Sequence, residues 1–235
     1  MTIKQNILII QQNIENAVQR RTAMENRNND VNIIAVTKTQ STDFISEAIK
    51  YGIKTIGENR VQEALKKYNF FRTEEVDIDW HLIGHLQTNK VKKAVEIFDL
   101  IHSIDSKRLA VAVNSAANKI SKVQDVLVQV NIGKEDSKFG LTPDFNEVHS
   151  LVEVISELEN LHLCGLMTIA PYYEDSEQTR PIFRKLKSMF DEIKSLNIHN
   201  VDLKWLSMGM TQDYIVAVEE GANMVRIGTG IFGER

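Results

Sequence analysis

The chain has 235 residues, 43% hydrophobic and 26% charged, with a formal net charge of −4. Those values describe a globular chain able to bury one sizeable core and exclude an intrinsically disordered polymer. The slight acidic balance offers no basic surplus for nucleic acid or anionic lipid, and no apolar run approaches the ~20 residues of a membrane span.

The single cysteine, Cys164, cannot close an internal disulfide, which fits a reducing compartment. The apolar cluster at 7–10 is too short for a signal-peptide core and no small-residue cleavage site comes after it. The cytoplasm is the expected location.

The opening segment predicts an amphipathic helix. Ile3, Ile7, Ile10, Ile14 and Ala17/Val18 recur at helical spacing, and Thr2 with Gln5 has the spacing of a capping box. The asparagine-rich tract at 26–30 is expected to end that helix, which occupies 1–28 as an appendage to the rest of the chain.

From there, short β-branched runs alternate with helical stretches. Strands are predicted at 32–37, 54–57, 80–84, 100–104, 126–132, 161–167, 203–207 and 224–227. Phe44, Ile45, Ala48 and Ile49 make one apolar helix face before Gly52. A longer face runs from Ile182 through Phe183, Leu186, Met189, Phe190 and Ile193 to Leu196, with Pro181 tolerated in the first turn. Thr211 reads as an N-cap with Asp213 in the first turn, and Gly221 as a stop. Strands alternating with helices imply right-handed βαβ units and a parallel sheet. Eight repeats in this length favour an α/β chain closed as a single (β/α)8 TIM barrel, one domain over 1–235 with the additional N-terminal helix. No linker or low-complexity tract interrupts it.

In a parallel barrel, reactive groups sit where strands end at the C-terminal rim. The first predicted strand places Lys38 there. Pointed into the mouth and partly desolvated, its amine would become a nucleophile towards an aldehyde; the alternative is a rim lysine reaching solvent. After the last strand, Gly228, Thr229 and Gly230 offer backbone N–H groups and a short helical turn. The seventh strand ends in Ser207-Met208-Gly209-Met210 beside them. Close backbone approach next to a helix start suits a phosphate, although such glycines can also merely close tight turns. His81 and His85 are four apart on a strand-and-loop segment with nothing to complete a ligand set, so no metal is expected. Cys164 reads as a small core residue, and Met167 as either ring packing or core. The loop with Asp136, Lys138 and Gly140 could be a lid or a solvated connection. No catalytic triad or P-loop is present.

Taken together, the motifs resemble the YggS/PROSC family, the pyridoxal phosphate homeostasis proteins. The stretches are AVTKT at 35–39, GENRVQEAL at 57–65, WHLIGHLQTNK at 80–90, SKFG at 137–140, CGLMTI at 164–169, LSMGMTQD at 206–213 and MVRIGTGIFGER at 224–235. They run in family order over nearly the whole chain.

The resemblance implies a barrel like the N-terminal domain of alanine racemase, with pyridoxal 5'-phosphate (PLP) as cofactor. It implies that Lys38 forms the Schiff base and that Asn59 lies on the rim near it. Ser207, Gly228 and Thr229 would cradle the phosphate, Arg226 would face the pyridine nitrogen, and Met167 would line the ring pocket. The proline often found in the family's third-strand loop is His85 here, and the family's longer tail would continue where the chain ends after Gly233-Glu234-Arg235.

An arginine at the ring nitrogen restrains carbanion chemistry. A racemase of this fold also needs a second base from a further domain and subunit, for which these residues leave no room. The function implied is therefore a monomeric, non-catalytic carrier or buffer of PLP. It would act in intracellular homeostasis and pass cofactor to apo-enzymes, with Lys138 assisting its movement. A weak amino-acid racemase or lyase is the alternative, and a sugar-phosphate aldolase using Lys38 without cofactor is a third.

Overall fold

β-Branched runs and amphipathic stretches resolve, in the computed structural model, into eight parallel strands closed in the order β1 to β8, each joined to the next by helical structure. Residues 1–22, 30–133, 135 and 139–234 are described. The strands are β1 (Asn32–Val36), β2 (Thr55–Glu58), β3 (Asp79–Leu82), β4 (Leu100–Ile104), β5 (Gln124–Gln129), β6 (Leu161–Met167), β7 (Val201–Met210) and β8 (Met224–Ile227). All eight fall where short apolar runs predict them, with ends shifted by a few residues. The largest shifts are in β5, which ends at Gln129 rather than at 132, and in β7, which runs on through Met210 instead of ending at Ser207. Its pairing with β8 changes register between Ser207 and Met210, and Gly209 there has φ +92°. A side chain at Gly209 would also meet the Ala217 Cβ at 2.6 Å, so glycine suits that bend on both counts.

Helix α1 (Ile3–Thr22) starts on the expected capping box: the Thr2 N–H donates to Gln5 Oε1 and the Gln5 N–H to Thr2 Oγ1. Its apolar stripe, Ile3, Ile7, Ile10, Ile14, Ala17 and Val18, is buried in the main core. The helix is thus more than an appendage. Asn13 Nδ2 donates to the Tyr214 hydroxyl on α8 (Tyr214–Glu219), and Asn6 Nδ2 to the Ile231 carbonyl on α9 (Thr229–Phe232). The tract at 26–30 lies outside the described residues except for Asp30.

In the helix Thr42–Lys50, Ile45 and Ala48 are buried but Phe44 is 49% exposed. The core-facing arc is centred on Ile45 and Ala48, and Phe44 falls off its edge. Thr211 does not cap α8. Asp213 occupies that position, and its carboxylate accepts the Met210 N–H at 2.6 Å, tying the end of β7 to the helix start. Pro181 sits in the first turn of Arg180–Ser195, as its missing N–H allows. Among the described residues, no helix is long and apolar enough to cross a membrane.

Two cores result. Helices pack on the outside of the sheet in one continuous apolar layer. Inside the barrel, Ile34, Leu100, Leu127, Cys164, Met167 and Met224 form a separate cluster. Two residues further along β4 and β8, the interior turns polar with His102 and Arg226.

Candidate functional site

A pocket of about 250 Å³ opens at the C-terminal rim between the ends of β1, β7 and β8. Lys38, Arg226, Gly228 and Thr229 line it together with Val36, Tyr172, Tyr173, Met210, Thr211 and Asp213. Four of the seven expected site residues therefore meet in one place.

Lys38 follows β1 in a turn and is exposed, so the partial burial expected for it is not found. The turn itself is firmly built. Glu58 at the end of β2 and Lys67 on α3 (Val61–Thr73) are both buried. Lys67 Nζ donates to Glu58 Oε1 at 2.6 Å, to Glu63 Oε1 at 2.8 Å and to the Thr37 carbonyl at 2.6 Å. The Thr37 hydroxyl donates to Glu58, and the Thr39 N–H donates to Glu63. Lys38 is bracketed on both sides by this cluster, and Thr39 is held at φ +63°, unusual for a β-branched residue. Burial pushes the Glu58 carboxyl up, against the opposing pull of Lys67 and Thr37. For Glu63, burial acts upward too, but Lys67 and the Thr39 N–H hold it below its ordinary value.

Arg226 reaches the pocket from inside the barrel. Its Nη1 donates to Ser207 Oγ at 2.6 Å and its Nη2 to the Thr168 carbonyl at 2.7 Å. Burial pushes the guanidinium down to about 10, with Asp213 opposing, so it stays cationic at neutral pH.

The chain of contacts continues. His102 Nδ1 lies 3.1 Å from Ser207 Oγ, and His102 Nε2 lies 3.1 Å from His81 Nδ1. Because Ser207 Oγ accepts from Arg226, its own proton is available to His102 Nδ1. His102 then donates from Nε2 to His81. Burial lowers His81 to about 3, and burial, His81 and Arg226 lower His102 well below the usual imidazole range, so both rings are neutral. A neutral pair can relay this polarity without adding charge beside Arg226.

The turn after β8 is tightly built. A Cβ on Gly230 would lie 2.8 Å from Ile227 Cγ2 and 3.1 Å from Thr211 Cγ2, so only glycine lets the turn fold this closely. The Gly230 N–H donates to Thr211 Oγ1 at 3.2 Å and is spent. The Thr229 hydroxyl likewise donates to Thr211 Oγ1 at 3.3 Å, so the candidate phosphate donors are the N–H groups of Gly228 and Thr229. Behind the turn, Asn6 of α1 holds the Ile231 carbonyl at 2.8 Å.

The other three expected residues lie elsewhere. Ser207 is fully buried and bonded to Arg226 and His102 rather than lining the pocket. Met167 is fully buried in the inner apolar cluster, because the register shift in β6 turns it inward with Cys164. Asn59 lies in a neighbouring cleft with Gly84 and His85, its backbone pressed against Gly84, where a Cβ would overlap the Asn59 carbonyl. Asp136, Ser137 and Lys138 lie outside the described residues.

His81 and His85 point to different partners, since His85 stacks on Phe139 with ring centroids 3.8 Å apart. A different set, Asp125, His162 and Cys164, does come together at the other end of the barrel. Burial pushes the Cys164 thiol pKa up, so the sulfur is protonated when nothing is bound to it.

Comparison with known proteins bears on this arrangement. The family model for the alanine racemase N-terminal domain matches residues 9–235. A pyridoxal phosphate homeostasis protein of Pasteurella multocida is 40% identical over 235 residues, covering 100% of this chain and 98% of its own. One from Aquifex aeolicus is 47% identical over 207 residues, 88% of each chain. The chain belongs to the pyridoxal phosphate homeostasis protein family. The solved structure of PipY from Synechococcus elongatus without PLP, 35% identical, superposes with a TM-score of 0.82 over 92% of this chain and 100% of PipY. Alanine racemase of Clostridium difficile shares the fold at 16% identity, with a TM-score of 0.72 over 95% of this chain and 60% of the racemase.

Sequence reading missed several groups in this family member. His102 had a weak signal, a polar His-Ser pair inside an otherwise apolar strand. Tyr172 and Tyr173 come after β6 in an irregular segment whose direction no periodicity predicts. Lys67 looked like any lysine on an amphipathic helix, and only the barrel wall buries it.

Proposed function

We propose that the protein binds PLP, holds it as a Schiff base on Lys38, and serves intracellular PLP homeostasis as a carrier or buffer. The observation that carries this reading is that Lys38, Arg226 and the Gly228–Thr229 turn line one pocket. A solved structure of PipY with PLP bound, 34% identical and with a TM-score of 0.79, supports the choice of ligand.

The donor set fits the group. Lys38 supplies the amine, and the Gly228 and Thr229 N–H groups supply an anion seat. Arg226 supplies a fixed cation that cannot accept a proton from a ring nitrogen. When bound, PLP supplies an aldehyde for the amine and an electron-withdrawing ring. Ser207, Thr168 and the two histidines hold Arg226 in place, so the ring nitrogen stays unprotonated and carbanion chemistry is restrained. Asn59, Met167 and Ser207 act at one remove from the pocket: Ser207 steadies Arg226, Met167 packs the barrel interior, and Asn59 braces the rim beside Gly84. The proposal includes a single domain over the whole chain, a monomer in the cytoplasm, and apo-enzymes as recipients.

The absorption spectrum tests it. Protein saturated with PLP should show a visible band that borohydride converts to a stable adduct on the Lys38 peptide, and Lys38→Ala should lose both. A colourless protein with no adduct overturns the reading and leaves a cofactor-free aldolase.

A second reading, a weak racemase or lyase, gains from Tyr172 and Tyr173, which bring two hydroxyl-bearing side chains to the pocket. Steady-state turnover of amino acids by the loaded protein, lost in Tyr172→Phe or Tyr173→Phe, would favour it. Stoichiometric transfer of PLP to an apo-enzyme without turnover favours the carrier.

A further inference from the structure

At the opposite end of the barrel, three side chains converge that PLP binding does not use. β5 and β6 pair in parallel with Asp125 level with His162, each one residue into its strand. That places both at the N-terminal floor, remote from the rim that carries Lys38. Side chains alternate along a strand. Leu161 and Leu163 pack in the outer layer between sheet and helices, whereas Cys164 belongs to the inner cluster. His162 and Cys164 therefore share the interior face.

His162 Nδ1 lies 3.0 Å from Asp125 Oδ1 and 3.3 Å from Cys164 Sγ, and the three atoms all lie within 4.8 Å of one another. A proton on Nδ1 satisfies the carboxylate but not the sulfur lone pairs facing it. A cation satisfies all three at once. Tetrahedral zinc, with bonds of about 2.0–2.3 Å, sets its ligand atoms roughly 3.2–3.7 Å apart. The two measured separations are already near that range, so small side-chain rotations complete the set. Mixed sulfur, imidazole and carboxylate donors select zinc-class ions over calcium or magnesium.

Access is available. The Asp125 and His162 side chains are 50% and 35% exposed, while Cys164 is 4% exposed. An ion can enter from solvent, seat against the sulfur and keep water in its fourth position.

We propose that Asp125, His162 and Cys164 form a binding site for a zinc-class divalent cation that ties β5 to β6 at the floor of the barrel. Binding forms metal–sulfur, metal–nitrogen and metal–oxygen bonds and breaks the S–H bond of Cys164, whose proton leaves to solvent, while the His162 ring proton passes from Nδ1 to Nε2 so that Nδ1 presents its lone pair to the metal. No redox step is involved.

The test uses the full chain, treated with chelator and titrated with cobalt(II) and then zinc(II) under reducing conditions. Saturable cobalt binding with a thiolate-to-metal charge-transfer band in the near ultraviolet is expected, and zinc should displace it. Cys164→Ser should abolish the band, and His162→Gln should weaken cobalt binding by about tenfold or more. Circular dichroism checks that both variants fold. If Cys164→Ser does not fold, protection of the wild-type thiol from a disulfide reagent by zinc replaces it. Absence of saturable binding, a band that survives in Cys164→Ser, unchanged affinity in His162→Gln, or a thiol equally reactive with and without zinc each overturns the site.

Discussion

Lys67 Nζ donates to the Thr37 carbonyl at 2.6 Å, one residue before the candidate cofactor lysine. The same ammonium neutralises Glu58, whose side chain is fully buried, and reaches Glu63, which in turn holds the Thr39 N–H. One buried cation thus sets the backbone on both sides of Lys38.

Removing that cation strands Glu58 in the barrel wall. Lys67→Met should cost about 3–5 kcal/mol, the range for breaking one side of a buried pair. Urea unfolding of the cofactor-free protein measures it, and PLP loading should weaken in parallel. A loss below about 1 kcal/mol would show that the cluster does not support the turn.

Lys38 gives the contrasting case. Its side chain is exposed, so Lys38→Ala should change cofactor-free stability by no more than about 0.5 kcal/mol while removing the visible band. A large loss of stability alongside the lost band would make the spectral result uninterpretable as chemistry and count against an exposed lysine.

Ser207 can be assigned by asking when it matters. As the acceptor for Arg226 and donor to His102, it should already stabilise the cofactor-free protein, and Ser207→Ala should cost about 1–3 kcal/mol there. A serine whose only work is to hold phosphate would leave cofactor-free stability unchanged and affect PLP binding alone.

The two buried histidines impose a pH dependence. His81 has its folded pKa depressed to about 3 from an ordinary 6.5, and His102 is lowered in the same direction. Between those limits the unfolded chain binds more protons, so stability rises with pH across the window and is lost as pH falls from about 6.5 towards 3. Chemical denaturation at pH 7.5 and pH 5 should show a clear drop at the lower pH. His81→Asn should shrink it, and a midpoint equal at both pH values would remove the claim that both rings are held neutral.

The turn after β8 supplies a steric prediction. Gly230→Ala forces the new methyl against Ile227 and Thr211, an overpacking cost of about 1–3 kcal/mol, and should displace the Gly228–Thr229 donors. Isothermal titration with PLP and with inorganic phosphate should both show weaker binding. Unchanged affinity for both ligands would place the anion seat elsewhere.

The features readable from the chain alone obey local rules. Short β-branched runs mark the eight strands, and the helical spacing of apolar residues marks the long helices, because burial on one helix face repeats every three to four residues. Lys38, Gly228 and Thr229 stood out because they come directly after strands, where a parallel barrel gathers its loops. The ends of β7 and the cap of α8 were misplaced, since Asp213 bonding to Met210 is a choice the chain makes only once folded.

Which side chains share a hydrogen bond was not legible. Ser207 and Arg226 are 19 residues apart, and Ser207 and His102 are 105 apart. Asp125 and His162 lie level only because β5 and β6 pair in one register. Strand closure and register bring such partners within about 3 Å, the ordinary hydrogen-bond separation, and no spacing along the sequence encodes a distance across the barrel.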